Sequence, residues 1–145
     1  MNGREYFFLS PRKFARLERR DKFLETAEFV GYRYGTPRRF IDKLRAKGHN
    51  VLLEIEVVGA IQVMEKVPEA LSLFLTPPNY KELERRLRQR GTEEEDKIAM
   101  RMEKARKEIS QSKLYQHVIK NGEPLKAADQ IDRIITEATN SLNNI

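Results

Sequence analysis

An α/β fold is predicted for this chain, and three features of its sequence predict it. From residue 49 onward, short apolar runs alternate with stretches of helical periodicity, the pattern of a parallel sheet layered with helices. Before residue 49 the chain reads as a small α+β unit, with aromatic strand-like segments between two short helices. The composition, 39% hydrophobic and 34% charged over 145 residues, suits one compact domain with a real core.

The elements follow in order. Residues 1–9 read as extended around Tyr6, Phe7, Phe8 and Leu9. Ser10-Pro11 supplies an N-cap and a favoured first helical residue, opening a helix through Phe14 and Leu17. Phe23 to Gly35 is aromatic and broken by Gly31, which predicts short strands joined by turns. Thr36-Pro37 starts a second helix, with Phe40, Ile41 and Leu44 on one face, ending at Gly48. Val51, Leu52, Leu53, Ile55 and Val57 predict a buried parallel strand, followed by a short helix through Ile61 and Met64 that Pro68 ends. Leu71 to Leu75 predicts a second strand, stopped by Pro77-Pro78. Asn79 with Glu82, and Thr92 with Glu95, have capping-box spacing, and each precedes a helical apolar stripe. His117 to Ile119 predicts a third strand, and Pro124 opens the last helix, with an apolar face from Leu125 through Leu142.

Composition also excludes. With no cysteine there is no disulfide, no thiolate chemistry and no Cys-based zinc site. His49 and His117 lack metal-ligand spacing to any other candidate, so no metal site is expected. No apolar run reaches membrane-spanning length and the first residues lack the apolar stretch of a signal peptide, so no membrane partner and a cytoplasmic location are expected. The net charge of +6 is uneven: residues 1–48 carry 13 Lys/Arg against 6 Asp/Glu, and residues 49–145 carry 15 against 16. A basic half attracts phosphate-bearing ligands, although a solvated basic surface is the plainer account. No recognised nucleic-acid module accompanies the charge, which argues against a nucleic-acid partner.

Four stretches carry candidate chemistry. Glu25 lies in a segment followed by Tyr32, Tyr34 and Thr36; a carboxylate beside hydroxyls can read a guanine edge, but a partly buried Glu satisfied by turn amides is commoner. Glu54 and Glu56 stand at the end of the first predicted strand, where they can hold ribose hydroxyls or magnesium, or simply share a solvated face. Arg85, Arg86, Arg88, Arg90 and Arg101 offer guanidinium forks to phosphate oxygens; a charged solvated helix face, with Glu82 and Glu84 as neighbours, is the alternative. Tyr6 can donate to a phosphate or pack in a strand.

Taken in order, these stretches resemble the guanylate kinase family. The matching pieces are Asn2-Gly3-Arg4-Glu5-Tyr6-Phe7-Phe8, Phe23-Leu24-Glu25-Thr26-Ala27-Glu28 and Tyr34-Gly35-Thr36-Pro37-Arg38. They continue with Val51-Leu52-Leu53-Glu54-Ile55-Glu56-Val57-Val58-Gly59-Ala60, Phe74-Leu75-Thr76-Pro77-Pro78 and the run from Leu83 to Thr92, then Asn121 after the last predicted strand. The resemblance covers roughly residues 1–138. It implies the parallel core sheet of a nucleoside monophosphate kinase with helices, plus a small α+β GMP-binding unit. Residues 1–48 would be the GMP-binding subdomain and connecting helix, and residues 49–145 a partial core with a lid around 79–101.

The resemblance also implies roles. Glu25 would read guanine with Thr36 assisting, Tyr6 and Tyr34 would hold the GMP phosphate, and Glu54 and Glu56 would face GMP. Arg86, Arg90 and Arg101 would stabilise the transferring phosphoryl group, Asn121 would lie on the ATP side, and Mg²⁺ would accompany ATP. Glu56 stands where the family usually has aspartate, and Val58 where it usually has glutamine. The motif G-x-x-x-x-G-K-S/T is absent and all seven glycines are isolated. The expectation is therefore a shortened guanylate kinase, inactive alone, that binds GMP, and ATP only when a phosphate loop is supplied. Its core sheet would lack a strand between residues 51–57 and 71–75, leaving open edges that self-associate. The alternative is a non-catalytic guanylate-kinase-like module that binds a phosphorylated peptide or nucleotide.

Overall fold

The computed structural model describes residues 6–89 and 94–143. Arg90, Gly91, Thr92 and the stretch Asn2 to Glu5 lie outside the described residues. By packing, the chain divides into two units, Met1–Pro68 and Glu69–Ile145.

In the first unit, helix α1 spans Pro11–Arg19, and the Lys13 amide donates to the Ser10 hydroxyl at its N-cap over 3.3 Å. Phe14 is its buried residue; the ring stacks on Phe23 at 4.6 Å, with the Arg33 guanidinium 4.7 Å from the same ring. Strands β1 (Phe23–Phe29) and β2 (Tyr32–Pro37) form an antiparallel hairpin with Glu25 opposite Thr36 and Ala27 opposite Tyr34. The turn between them places Val30 at φ 49 and Gly31 at φ 74, the left-handed pair of a tight hairpin turn. Helix α2 spans Arg38–Arg45 and helix α3 spans Val57–Lys66. Leu24, Ile41 and Val63 make the core, with Val51, Leu53, Ile55 and Val67 half-buried against it. Lys66 closes the far end of α3, donating to Asp21 Oδ1 at 2.7 Å and to the Phe23 carbonyl at 2.9 Å.

The first expected strand does not form. Residues 51–56 alternate half-buried and exposed, yet they join neither sheet, and helix begins at Val57 inside the predicted strand. A strand is a hydrogen-bonded pair rather than a property of one segment, and no described strand lies beside this one. Its alternate residues pack on Leu24, Ile41 and Val63 instead, which groups residues 49–68 with the first unit, although the sequence pattern divides the chain at 48.

In the second unit, β3 (Leu73–Thr76) and β4 (His117–Lys120) form a parallel pair, Leu73 beside His117 through Thr76 beside Lys120. The described parallel sheet thus has two strands rather than three. Below it, Ser72 and Gln116 exchange bonds between backbone amide and side chain at 2.9 and 3.0 Å. Helix α4 spans Tyr80–Gln89, and its Glu82 amide donates to Asn79 Oδ1 at 2.8 Å, the expected cap. Helix α5 spans Glu95–Ser110, and α6 spans Pro124–Asn143. Ile119, Phe74, Ile98 and Ala127 are buried, and Ile119 has no exposed surface.

Candidate functional site

Each unit carries one cluster of predicted residues. In the first, β1 is buried over its first three residues, so its third, Glu25, is taken out of water with them; it is 6% exposed. An isolated carboxylate at such a depth is costly unless hydrogen-bonded. Pairing in the hairpin sets Thr36 opposite, and its hydroxyl donates to Glu25 Oε1 at 2.6 Å. That bond uses the hydroxyl's one proton, so Thr36 orients the carboxylate. The other oxygen faces Gly59, in the first turn of α3, where an added Cβ would stand 2.7 Å from Oε2. The N-terminal turn of a helix favours neighbouring negative charge.

Tyr34 lies two residues before Thr36 and so on the same face of β2. Its ring meets Tyr6 edge-on, with centroids 6.1 Å apart, and both rings are substantially exposed. The structure therefore joins Glu25 to Thr36, and Tyr34 to Tyr6. Glu54 and Glu56 are both exposed, on the segment leading into α3, with Glu56 at the helix N-cap. Among the described residues no group of three His, Asp or Glu side chains gathers to hold a metal ion.

Sequence reasoning gave no role to Gln62. Its side-chain amide accepts from the Thr26 N–H at 3.0 Å and donates to the Thr26 carbonyl at 2.9 Å and the Val58 carbonyl at 3.1 Å. An amide side chain serves Thr26 as a neighbouring strand would. The only sequence signal for it is its place one turn beyond Gly59, on the same helix face.

In the second unit, Arg86 reaches from α4 to the end of β4. Its Nε donates to Glu82 Oε1 at 2.8 Å, and Nη2 donates to the Asn121 carbonyl at 2.9 Å and the Gly122 carbonyl at 3.4 Å. Arg86 is thus fastened to the strand end instead of standing out from α4. It lines a cleft of about 210 Å³ with Leu75, Thr76, Pro77, Leu83 and Asn121. Asn121 Oδ1 is buried there with no donor among the described residues. Arg85 pairs with Glu82, and Arg88 pairs with Glu84 and Glu95. The Arg85 guanidinium, then that of Arg86, holds the Glu82 carboxyl down to about 2. Arg101 stands on the exposed face of α5. The first cluster presents a carboxylate able to accept from N–H donors; the second is a guanidinium beside an open carbonyl, at the carboxyl end of a parallel strand where α/β folds bind ligands.

Comparison with known proteins gives the same order of pieces a common origin. The guanylate kinase family model matches residues 1–138. A guanylate kinase of Streptococcus thermophilus (strain CNRZ 1066) is 47% identical over 135 residues, which are 93% of this chain and 65% of that protein. One from Mycoplasma capricolum subsp. capricolum is 46% identical over 93% of this chain and 46% of its own length. The chain thus spans less than two thirds of these relatives. The crystal structure of guanylate kinase from Anaplasma phagocytophilum superposes with a TM-score of 0.73 at 33% identity, covering 94% of this chain and 66% of that one. With a family match across nearly every residue and close sequence identity to these enzymes, the chain belongs to the guanylate kinase family.

Proposed function

We propose that this chain supplies the GMP-recognising side of the guanylate kinase reaction, ATP + GMP to ADP + GDP. The observation that carries the reading is the buried Glu25 carboxylate held by Thr36 at 2.6 Å. Guanine presents N1–H and N2–H donors to such a carboxylate, whereas adenine presents a lone pair at N1. The Tyr6 and Tyr34 hydroxyls bind the GMP phosphate, and Glu54 and Glu56 face the same nucleotide. In the transfer, a GMP phosphate oxygen forms a bond to the γ-phosphorus while the bond to the β-bridging oxygen breaks, leaving ADP. Arg86, Arg90 and Arg101 stabilise the charge on the moving group. Asn121, with its open Oδ1 in the cleft, serves the ATP side.

Mg²⁺, which the family implies, would screen the phosphate charges when bound. The described residues gather no donor set of their own for it, so no step is assigned to the ion. No described helix is long and apolar enough to cross a membrane, and the cytoplasm is the compartment proposed.

Because these 145 residues contain no phosphate-loop motif, a polypeptide of them alone is expected to release no ADP above background with ATP and GMP. Joining it in cis to the N-terminal segment of the Streptococcus thermophilus enzyme should restore turnover, and Arg90→Ala should then reduce it. Calorimetry should show GMP preferred over AMP, and Glu25→Ala should cost about 1.5–3 kcal/mol of that preference. Equal affinity for the two nucleotides, with binding to a phosphopeptide, would favour the non-catalytic module instead.

A further inference from the structure

Two residues of α3, Gly59 and Gln62, lie against β1 at Glu25 and Thr26, and neither has a role in the proposed reaction. Thr36 and Gly59 bound the carboxylate on its two sides. Thr36 holds Oε1 from the β2 side. On the other side, the carboxyl lies against Gly59 so closely that a Cβ there would meet Oε2 at 2.7 Å, Cδ at 3.3 Å and Cγ at 3.4 Å. Real Cβ atoms do not approach an oxygen to 2.7 Å, so any side chain at 59 must displace the carboxylate or the helix.

Beside Glu25, α3 is tied to β1 by Gln62. Its amide bonds both backbone groups of Thr26, the residue next to Glu25, at 3.0 and 2.9 Å. Its third bond, to the Val58 carbonyl, braces the side chain against its own helix and fixes the direction of reach. Gln62 therefore ties the two elements together and Gly59 leaves the room that their approach requires. They are three residues apart, on one face of α3.

We infer that Gly59 and Gln62 are positioning residues that tune base specificity by aiming the Glu25 carboxylate. The inference rests on Glu25 being the guanine reader. A hydrogen bond weakens steeply as its angle falls toward about 120°. A carboxylate turned aside by a methyl group loses its alignment with the paired N–H donors of guanine. Phosphate binding by Tyr6 and Tyr34 is untouched by that rotation. The mark of these residues is thus a change in discrimination, not in overall nucleotide affinity.

The test measures dissociation constants for GMP and IMP, which lacks only the 2-amino group, with the full chain by calorimetry. Partial unfolding weakens both ligands by the same factor, so their ratio reports placement alone. Gly59→Ala should lower the GMP-over-IMP preference by at least about fivefold, and Gln62→Leu by about threefold. If Gly59→Ala does not fold, Gln62→Leu carries the test by itself, because it adds no atom beside Glu25. A preference unchanged within about twofold in the folded variants, while Glu25→Ala removes it, overturns the inference and leaves the guanine reading standing. A wild-type chain that does not distinguish the nucleotides overturns the reading of Glu25, and the inference with it.

Discussion

The two units hold their charged groups in opposite ways. In the first, the carboxylate of Glu25 is buried, bonded to a neutral hydroxyl and boxed in by a glycine. In the second, Arg85 and Arg88 of α4 lie at the surface, against carboxylates one turn away on the same helix or across to Glu95, and only Arg86 of the three also reaches a strand end. Burial fixes direction, which the proposed reading of a base edge requires. Surface ion pairs are worth only about 0–1 kcal/mol, so a guanidinium can exchange its carboxylate for a phosphate at little cost. One unit fixes its charge in place and the other leaves guanidinium groups open to exchange.

The contrast is broken most severely by emptying the first unit's aromatic stack. Phe14→Ala removes a buried ring lying against Phe23 and beneath Arg33, and should destabilise that unit by about 3–5 kcal/mol. Hydrogen exchange should show the β1–β2 amides losing protection. Amides of β3 and β4 keeping theirs would confirm that the two units respond separately.

A smaller effect is expected in the second unit. Arg86→Ala deletes charge-assisted bonds to Glu82 and to the Asn121 and Gly122 carbonyls, worth about 1.5–3 kcal/mol. Faster exchange along α4, with an unchanged hairpin, is the outcome that fits. Equal loosening in both units would show that Arg86 does more than tie α4 to β4.

Acid should separate the units more gently. The folded-state value of Glu82 is about 2, below its ordinary 4.5, so its contribution to α4 is complete above 4.5. That contribution is lost as pH falls through about 2. Helix signal from α4 should therefore decline across that window, and Glu82→Gln should remove the dependence. The smallest change is expected at the hairpin tip. Val30 is β-branched yet held at φ 49, so Val30→Asn should stabilise the first unit by about 0.5–1 kcal/mol. Thermal melting would show it, and a lower melting temperature would mean the Val30 side chain contributes where it is.

What the sequence made legible was local. Ser10-Pro11, the break at Gly31 and the Asn79–Glu82 spacing each act within a few residues, and each appears where expected. Residues 51–57 misled because their apolar, β-branched pattern describes a strand's surface while its hydrogen-bonding partner must come from elsewhere in the chain. Val57, Val58 and Gly59 are poor helix formers, and the packing of α3 on β1 overrides that preference. The Glu25 and Thr36 pair was named through family resemblance; its burial and 2.6 Å bond required the hairpin. Gln62 was invisible because a glutamine on a helix looks like solvent-facing surface until the strand beneath it is known.

Glu25 and Thr36 are also register partners in the hairpin. If β2 slipped by one residue, its whole set of side chains would turn to the opposite face, and the buried carboxylate would lose its hydroxyl. Under the proposed role of Glu25, a misaligned hairpin would be blind to the nucleotide. A ligand that binds only the aligned form adds RT ln(1 + [L]/Kd) to its stability and none to the misaligned one. On the proposed reading, nucleotide supply would thus act as a folding inspector, favouring the one alignment that can recognise it.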